Sequence, residues 1–139
     1  MMRTFVVLLL SLVMASCTTD RSYVDMRPVS PYNWEDAVSI IYENSDTEAV
    51  RDIAVALRYN KSFDSDTLTV KVQTSLPDAH QFSEHILLHL KRDYTAAAVT
   101  ASEVIPYRNS CVLGQSGYYI FTITPCRAVE GIEAVGIAF

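Results

Sequence analysis

Apolar positions recur every second residue over most of this chain, the period of half-buried β-strands. Ile53, Val55, Leu57 and Tyr59 alternate with Ala54, Ala56 and Arg58, which sets the larger side chains on one face. Leu68, Val70 and Val72 alternate in the same way with Thr67, Thr69, Lys71 and Gln73. Ala37 to Tyr42 is rich in β-branched and aromatic residues and is closed by Glu43-Asn44-Ser45-Asp46, a turn composition. Asn60-Lys61-Ser62 predicts a second turn, and Leu76-Pro77-Asp78 ends the following strand because proline has no N–H to give a ladder.

Three later segments complete the pattern. Phe82 to Leu90 fits a strand with Phe82, Glu84, Ile86, Leu88 and Leu90 on one face; Ile86 to Leu90 also fits a buried helical turn, and the neighbouring strands favour the first reading. Tyr94 to Ser102, rich in Ala and Thr, has no clear period and suits a short helix or a meandering edge. Tyr107 to Leu113 and Tyr118 to Thr124 flank Gly114-Gln115-Ser116-Gly117 and predict a hairpin. Ile132 to Phe139 sets Ala134, Gly136 and Ala138 on one face, small enough for another layer to approach closely. About eight short strands with no long helical period predict an all-β fold, an antiparallel β-sandwich of jelly-roll type, with a compact barrel as the alternative.

One stretch breaks the alternation. Phe5 to Val13 is a short apolar run behind Arg3, ending in Met14-Ala15-Ser16-Cys17. A cationic start, a short apolar core and small residues mark a secretory signal peptide, and the run is well short of the roughly 20 residues of a spanning helix. Val13-Met14-Ala15-Ser16-Cys17 resembles the bacterial lipobox, with Met14 where Leu is usual. That resemblance implies cleavage before Cys17 and a lipid, such as palmitate, on Cys17. The expected organisation is a signal peptide at 1–16, a lipidated tether at 17–27 and a β-sandwich domain at 28–139. Thr18 follows the cysteine and no acidic run does, which by resemblance to sorting signals favours the outer membrane with the domain facing the periplasm.

Removing residues 1–16 leaves 123 of 139 residues, the size of one domain. It also removes Arg3, leaving ten basic against sixteen acidic side chains. A mild, scattered negative charge argues against nucleic acid or an anionic lipid surface as the main partner. Cys111 and Cys126 then remain in an oxidising compartment and are the candidates for a disulfide. The hairpin expectation sets Cys111 opposite Tyr119, with Cys126 well beyond, so two buried free thiols are the favoured state.

Candidate chemistry is thin. His80, His85 and His89 lie close together, but Glu84-His85-x-x-x-His89 puts the glutamate outside the zinc-protease order, and no third ligand is apparent. Gly114-Gln115-Ser116-Gly117-Tyr118 misses the nucleophile elbow at its fifth position and leads into a strand where the elbow leads into a helix. Glu35-Asp36 and Asp64-Ser65-Asp66 lie beside turns, and the latter has neither the glycine nor the distal glutamate of a calcium loop. Tyr23, Tyr32 and Trp34, around Pro28 and Pro31, suit either a staple closing one end of the sandwich or an exposed sugar-binding surface. The expected protein is therefore non-enzymatic, with no cofactor or metal and no small-molecule ligand, and a glycan-binding envelope module is the alternative.

The last third carries a resemblance. Tyr107-Arg108-Asn109, Gly117-Tyr118-Tyr119-Ile120-Phe121-Thr122-Ile123, Cys126-Arg127, Gly131-Ile132 and Val135-Gly136-Ile137 resemble the closing pattern of the GldH family of gliding-motility lipoproteins of Bacteroidetes. The lipobox, Trp34, and Leu57-Arg58-Tyr59-Asn60 before Phe63 follow the same family order. Where that family often carries Gly-x-Trp-x-Gly, this chain has Lys91-Arg92-Asp93-Tyr94-Thr95-Ala96. The resemblance implies a membrane-anchored component of an envelope protein complex, with Cys17 the one functional residue carried over.

Overall fold

The computed structural model describes residues 23–92 and 99–139. Cys17, the lipobox and residues 18–22 of the expected tether lie outside the described residues, as do residues 93–98. The described residues form eight strands: β1 (Val24–Pro28), β2 (Val38–Asn44), β3 (Val50–Asn60), β4 (Thr67–Ser75), β5 (Gln81–His89), β6 (Thr100–Val112), β7 (Gly117–Pro125) and β8 (Ile132–Ala138). They build two four-stranded antiparallel sheets packed as a sandwich, ordered β1-β8-β3-β6 and β2-β7-β4-β5. Successive strands alternate between the sheets except at β4 and β5, which gives the jelly-roll order.

The alternation in the sequence is what each sheet buries. Ile53, Val55, Leu57 and Tyr59 of β3 face Leu68, Val70 and Val72 of β4 across the core, joined by Ile40, Tyr119, Phe121, Ile123, Val135 and Ile137. Phe82 to Leu90 is mostly strand, with β5 pairing along β4 from Thr67↔His89 to Ser75↔Gln81.

Two expectations are corrected by the topology. Glycines 114 and 117 do not close a hairpin, because β6 and β7 belong to different sheets. The loop crosses the sandwich, and Cys111 pairs with Arg51 of β3 and not with Tyr119. The sheet also starts earlier than residue 28: Val24–Pro28 pairs with β8 from Val24↔Ala138 to Pro28↔Ala134. This short edge strand, carrying Asp25, Arg27 and Pro28, looks like a polar tether because an edge tolerates charge and proline.

Close approach explains two glycines. A Cβ on Gly136 would stand 1.9 Å from the Asp25 carbonyl oxygen, so the small face of β8 admits the neighbouring β1 backbone, where the sequence suggested another layer. Gly131 holds φ at 88°, and a Cβ there would lie 2.2 Å from the Phe63 backbone nitrogen.

Candidate binding cleft

The two long sides of the sandwich close differently. On the β1/β2 side Tyr23, Tyr42 and Phe139 stack, with ring centroids 5.2 Å (Tyr23–Tyr42) and 4.3 Å (Tyr42–Phe139) apart. Phe139 in turn meets Phe121 at 5.9 Å inside the core. Aromatic edges of this kind bury apolar surface and fix the sheets against each other.

On the β5/β6 side the inward residue at mid-strand is Glu84, not an apolar one. Glu84 lies on the same face as Ile86 and Leu88, an inward charge of the kind that blunts an edge strand. The Tyr107 hydroxyl donates to Glu84 Oε1 at 2.5 Å, and the Arg108 guanidinium donates to the same oxygen. Arg108 also lies over the Tyr107 ring, 5.3 Å from its centroid. Burial pushes the Tyr107 phenol up to about 12, with the Glu84 carboxylate adding to it. The three side chains form a polar clasp between two sheet edges.

Beside this clasp the interior opens as a cleft of about 450 Å³, within the range of ligand sites. Its walls are mainly apolar, among them Ile53, Leu76, Phe82, Leu113 and Phe121, and Cys111 lies in the wall. Its floor is held by the loop after β6. The buried Asn44 amide donates to the carbonyls of Leu113 at 2.9 Å and Gln115 at 2.8 Å. Gln115 Nε2 donates to Asp78 at 2.9 Å, tying this loop to the β4–β5 turn. The His80 backbone N–H, then the His80 side chain and Gln115, hold the Asp78 carboxyl below the usual carboxylate range. A second polar cluster secures the far end, where Glu103 accepts from Tyr59 and from the Lys91 N–H at 2.9 Å. The Arg92 N–H also reaches the Tyr59 hydroxyl, at 3.0 Å.

Of the candidate residues, Cys111 and, from the near-elbow loop, Gly114 and Gln115 line this cleft, as do Tyr107, Arg108, Tyr119 and Phe121 of the closing pattern; the histidines, Ser116 and the paired acids do not. His85 and His89 are exposed on β5 opposite Lys71 and Thr67. Among the described residues no three His, Cys, Asp or Glu side chains gather as metal ligands do. Ser116 donates to the Asn44 carbonyl at 3.4 Å. Glu35 and Asp36 are exposed, and Asp66 pairs with Arg92 at 3.5 Å. Trp34 is 2% exposed and its indole N–H donates to the Asp36 carbonyl at 2.8 Å, whereas Tyr32 is 84% exposed. The three rings of the suggested sugar surface thus part: Trp34 is buried, Tyr23 packs on Tyr42, and Tyr32 is exposed.

Cys111 and Cys126 are both free. Cys111, on β6, shares the cleft wall with Tyr119 near the start of β7, and Cys126 lies past that strand's end; the run from Tyr119 to Pro125 spans about 20 Å, far beyond the roughly 7 Å a disulfide can bridge. Cys126 is exposed, so the expectation of two buried thiols holds for neither fully: Cys111 is only half-buried.

No family model, curated protein or solved structure matches this chain.

Proposed function

We propose that this protein is a lipid-anchored, non-enzymatic interaction component of a bacterial cell envelope, resembling the GldH gliding-motility lipoproteins, held at the outer membrane with its domain facing the periplasm. The observation that carries the reading is the lipobox at Val13 to Cys17, placed just ahead of a β-domain. Strand β1 opens at Val24 and Tyr23 already packs on Tyr42. Only the six steps from Cys17 to Tyr23 separate lipid from fold, a reach of about 20 Å at full extension. A domain on so short a leash meets partners at the membrane surface and not in bulk periplasm. The family resemblance rests on the short motifs quoted above, and they are structural: Gly131 and Gly136 are both close-approach positions.

The glycan alternative loses its support with Trp34 buried. The test is crosslinking in intact cells followed by capture, with wild type against Cys17→Ala. The expected result is a defined envelope protein recovered with wild type and lost with Cys17→Ala, together with loss of lipid labelling. Equal recovery of partners by an unlipidated, soluble Cys17→Ala protein would overturn the reading.

A further inference from the structure

Resting on the anchored reading above, we propose that the cleft beside the Glu84 clasp binds one acyl chain of a membrane phospholipid, so that the domain holds the bilayer twice, by its own lipid and by this cleft.

Three observations place that ligand there. The first is the chemistry of the wall: Ile53, Leu76, Phe82, Leu113 and Phe121 offer carbon to whatever enters. Most neighbouring polar groups are already engaged with each other, Glu84 with Tyr107 and Arg108, and Gln115 with Asp78 and the Tyr119 hydroxyl. A polar ligand would have to break those bonds, whereas a hydrocarbon chain would not. Burying it is favourable by about 0.8 kcal/mol per methylene.

The second is position. Chain entry at Tyr23 and the cleft lie at the same end of the sandwich. Tyr23 is hydrogen-bonded to Phe139 beyond β8, and Phe139 stacks on Phe121 in the cleft wall. The short link from Cys17 therefore brings this end, and not the Trp34 end, against the lipid surface.

The third concerns the edges beside the cleft, which are poor templates for a partner strand. Pro106 removes a donor from β6, and Ser110, at φ 53°, bends it where its N–H is taken by Asp52 at 2.8 Å. Glu84 blunts β5 from within. An extended peptide would meet these obstacles, and an acyl chain, which needs no backbone partners, does not.

Cys111 in the wall and Cys126 at the far end make a built-in comparison. In the full-length Cys17→Ala chain these are the remaining thiols, and each one's rate of labelling by a small maleimide is read with and without phosphatidylethanolamine/phosphatidylglycerol vesicles. Occupancy of about nine clefts in ten leaves a tenth of the Cys111 thiol free, slowing its labelling about tenfold, while Cys126 keeps its rate. Val112→Trp, at a half-exposed position on the cleft lining, fills the opening with apolar bulk. It should abolish the protection, with unchanged Trp34-region folding checked by circular dichroism. Cys111 labelling that ignores the vesicles, equal slowing of both thiols, or full protection in Val112→Trp would each overturn the cleft. The anchor is read separately, by alkaline carbonate extraction of wild-type membranes. Extraction of wild type would overturn the anchor whatever the thiols do, and unprotected Cys111 in a firmly anchored protein would overturn the cleft alone.

Discussion

Asn44 is the residue on which the shape of the cleft floor depends most directly. It is 1% exposed at the end of β2, and its amide nitrogen supplies hydrogen bonds to two carbonyls of the β6–β7 loop, Leu113 and Gln115. Its amide oxygen accepts from Arg51 at 3.4 Å. In Asn44→Ala both carbonyls lose their donor inside the protein, and the loss of each hydrogen bond costs about 1–1.5 kcal/mol, giving about 2–3 kcal/mol in all. Asn44→Leu restores the volume but not the donors, so it should be destabilised to a similar extent. Urea unfolding followed by circular dichroism measures this as a midpoint lowered by about 1–2 M at unchanged slope, for a slope of about 1.5 kcal/mol/M. Because Leu113, Gly114 and Gln115 line the cleft, both variants should also label faster at Cys111. Wild-type stability in Asn44→Ala, or recovery in Asn44→Leu, would refute the hydrogen-bond account, the second by showing that only packing matters at this site.

Trp34→Ala removes the largest buried side chain, and thermal unfolding should show a loss of about 3–5 kcal/mol. Tyr59→Phe takes away the hydroxyl joining Glu103 to the Arg92 N–H and should cost about 1–2 kcal/mol by urea titration. Gly131→Ala places a Cβ against the Phe63 backbone and forces a positive φ on alanine, so it should lose more than the 1–2 kcal/mol of a left-handed residue alone and show this as poor soluble yield or an early melt. The Tyr107 phenol, about 10 when unfolded and about 12 when folded, lends stability that is complete below pH 10 and fades as pH rises through 12. Phenolate absorbance should lose a component near pH 12 in Tyr107→Phe, and Glu84→Gln should move that component down only part of the way, since burial is the larger cause.

The strands were legible because burial in a sandwich is written in single residues two apart, as in Ile53, Val55, Leu57 and Tyr59. Their pairing was not, because turn residues are the same whether a loop returns to its own sheet or crosses to the other. Gly114 to Gly117 has the composition of a hairpin and makes a crossing. Glu84 stood out in the sequence as the polar residue of an apolar face, yet its partners Tyr107 and Arg108 are more than twenty residues away, and no local pattern announces them. The staple was one of two readings that the aromatics and prolines around Trp34 allowed, and its indole N–H bond to Asp36 depends on the fold. Cys126 looked like a core thiol because it follows an alternating strand; Pro125 is where that strand ends, and the next residue is already in the open.

The difference between the two sides of the sandwich follows from which residues stand at its edges. Where β1 meets β2, Tyr23, Tyr42 and Phe139 fill the space with rings, and rings pack without partners of their own. Where β5 meets β6, a half-exposed carboxylate stands on the inward face and takes its donors from Tyr107 and Arg108. Such a clasp holds the edges at hydrogen-bonding distance at one point and leaves the apolar walls beside it unfilled. An apolar residue in place of Glu84 would let the sheets collapse and consume the cleft. The clasp therefore both closes the sandwich and preserves a vacant apolar volume at the end nearest the chain's entry, which is why Glu84 ranks beside Cys17 among the residues on which the proposed membrane association rests.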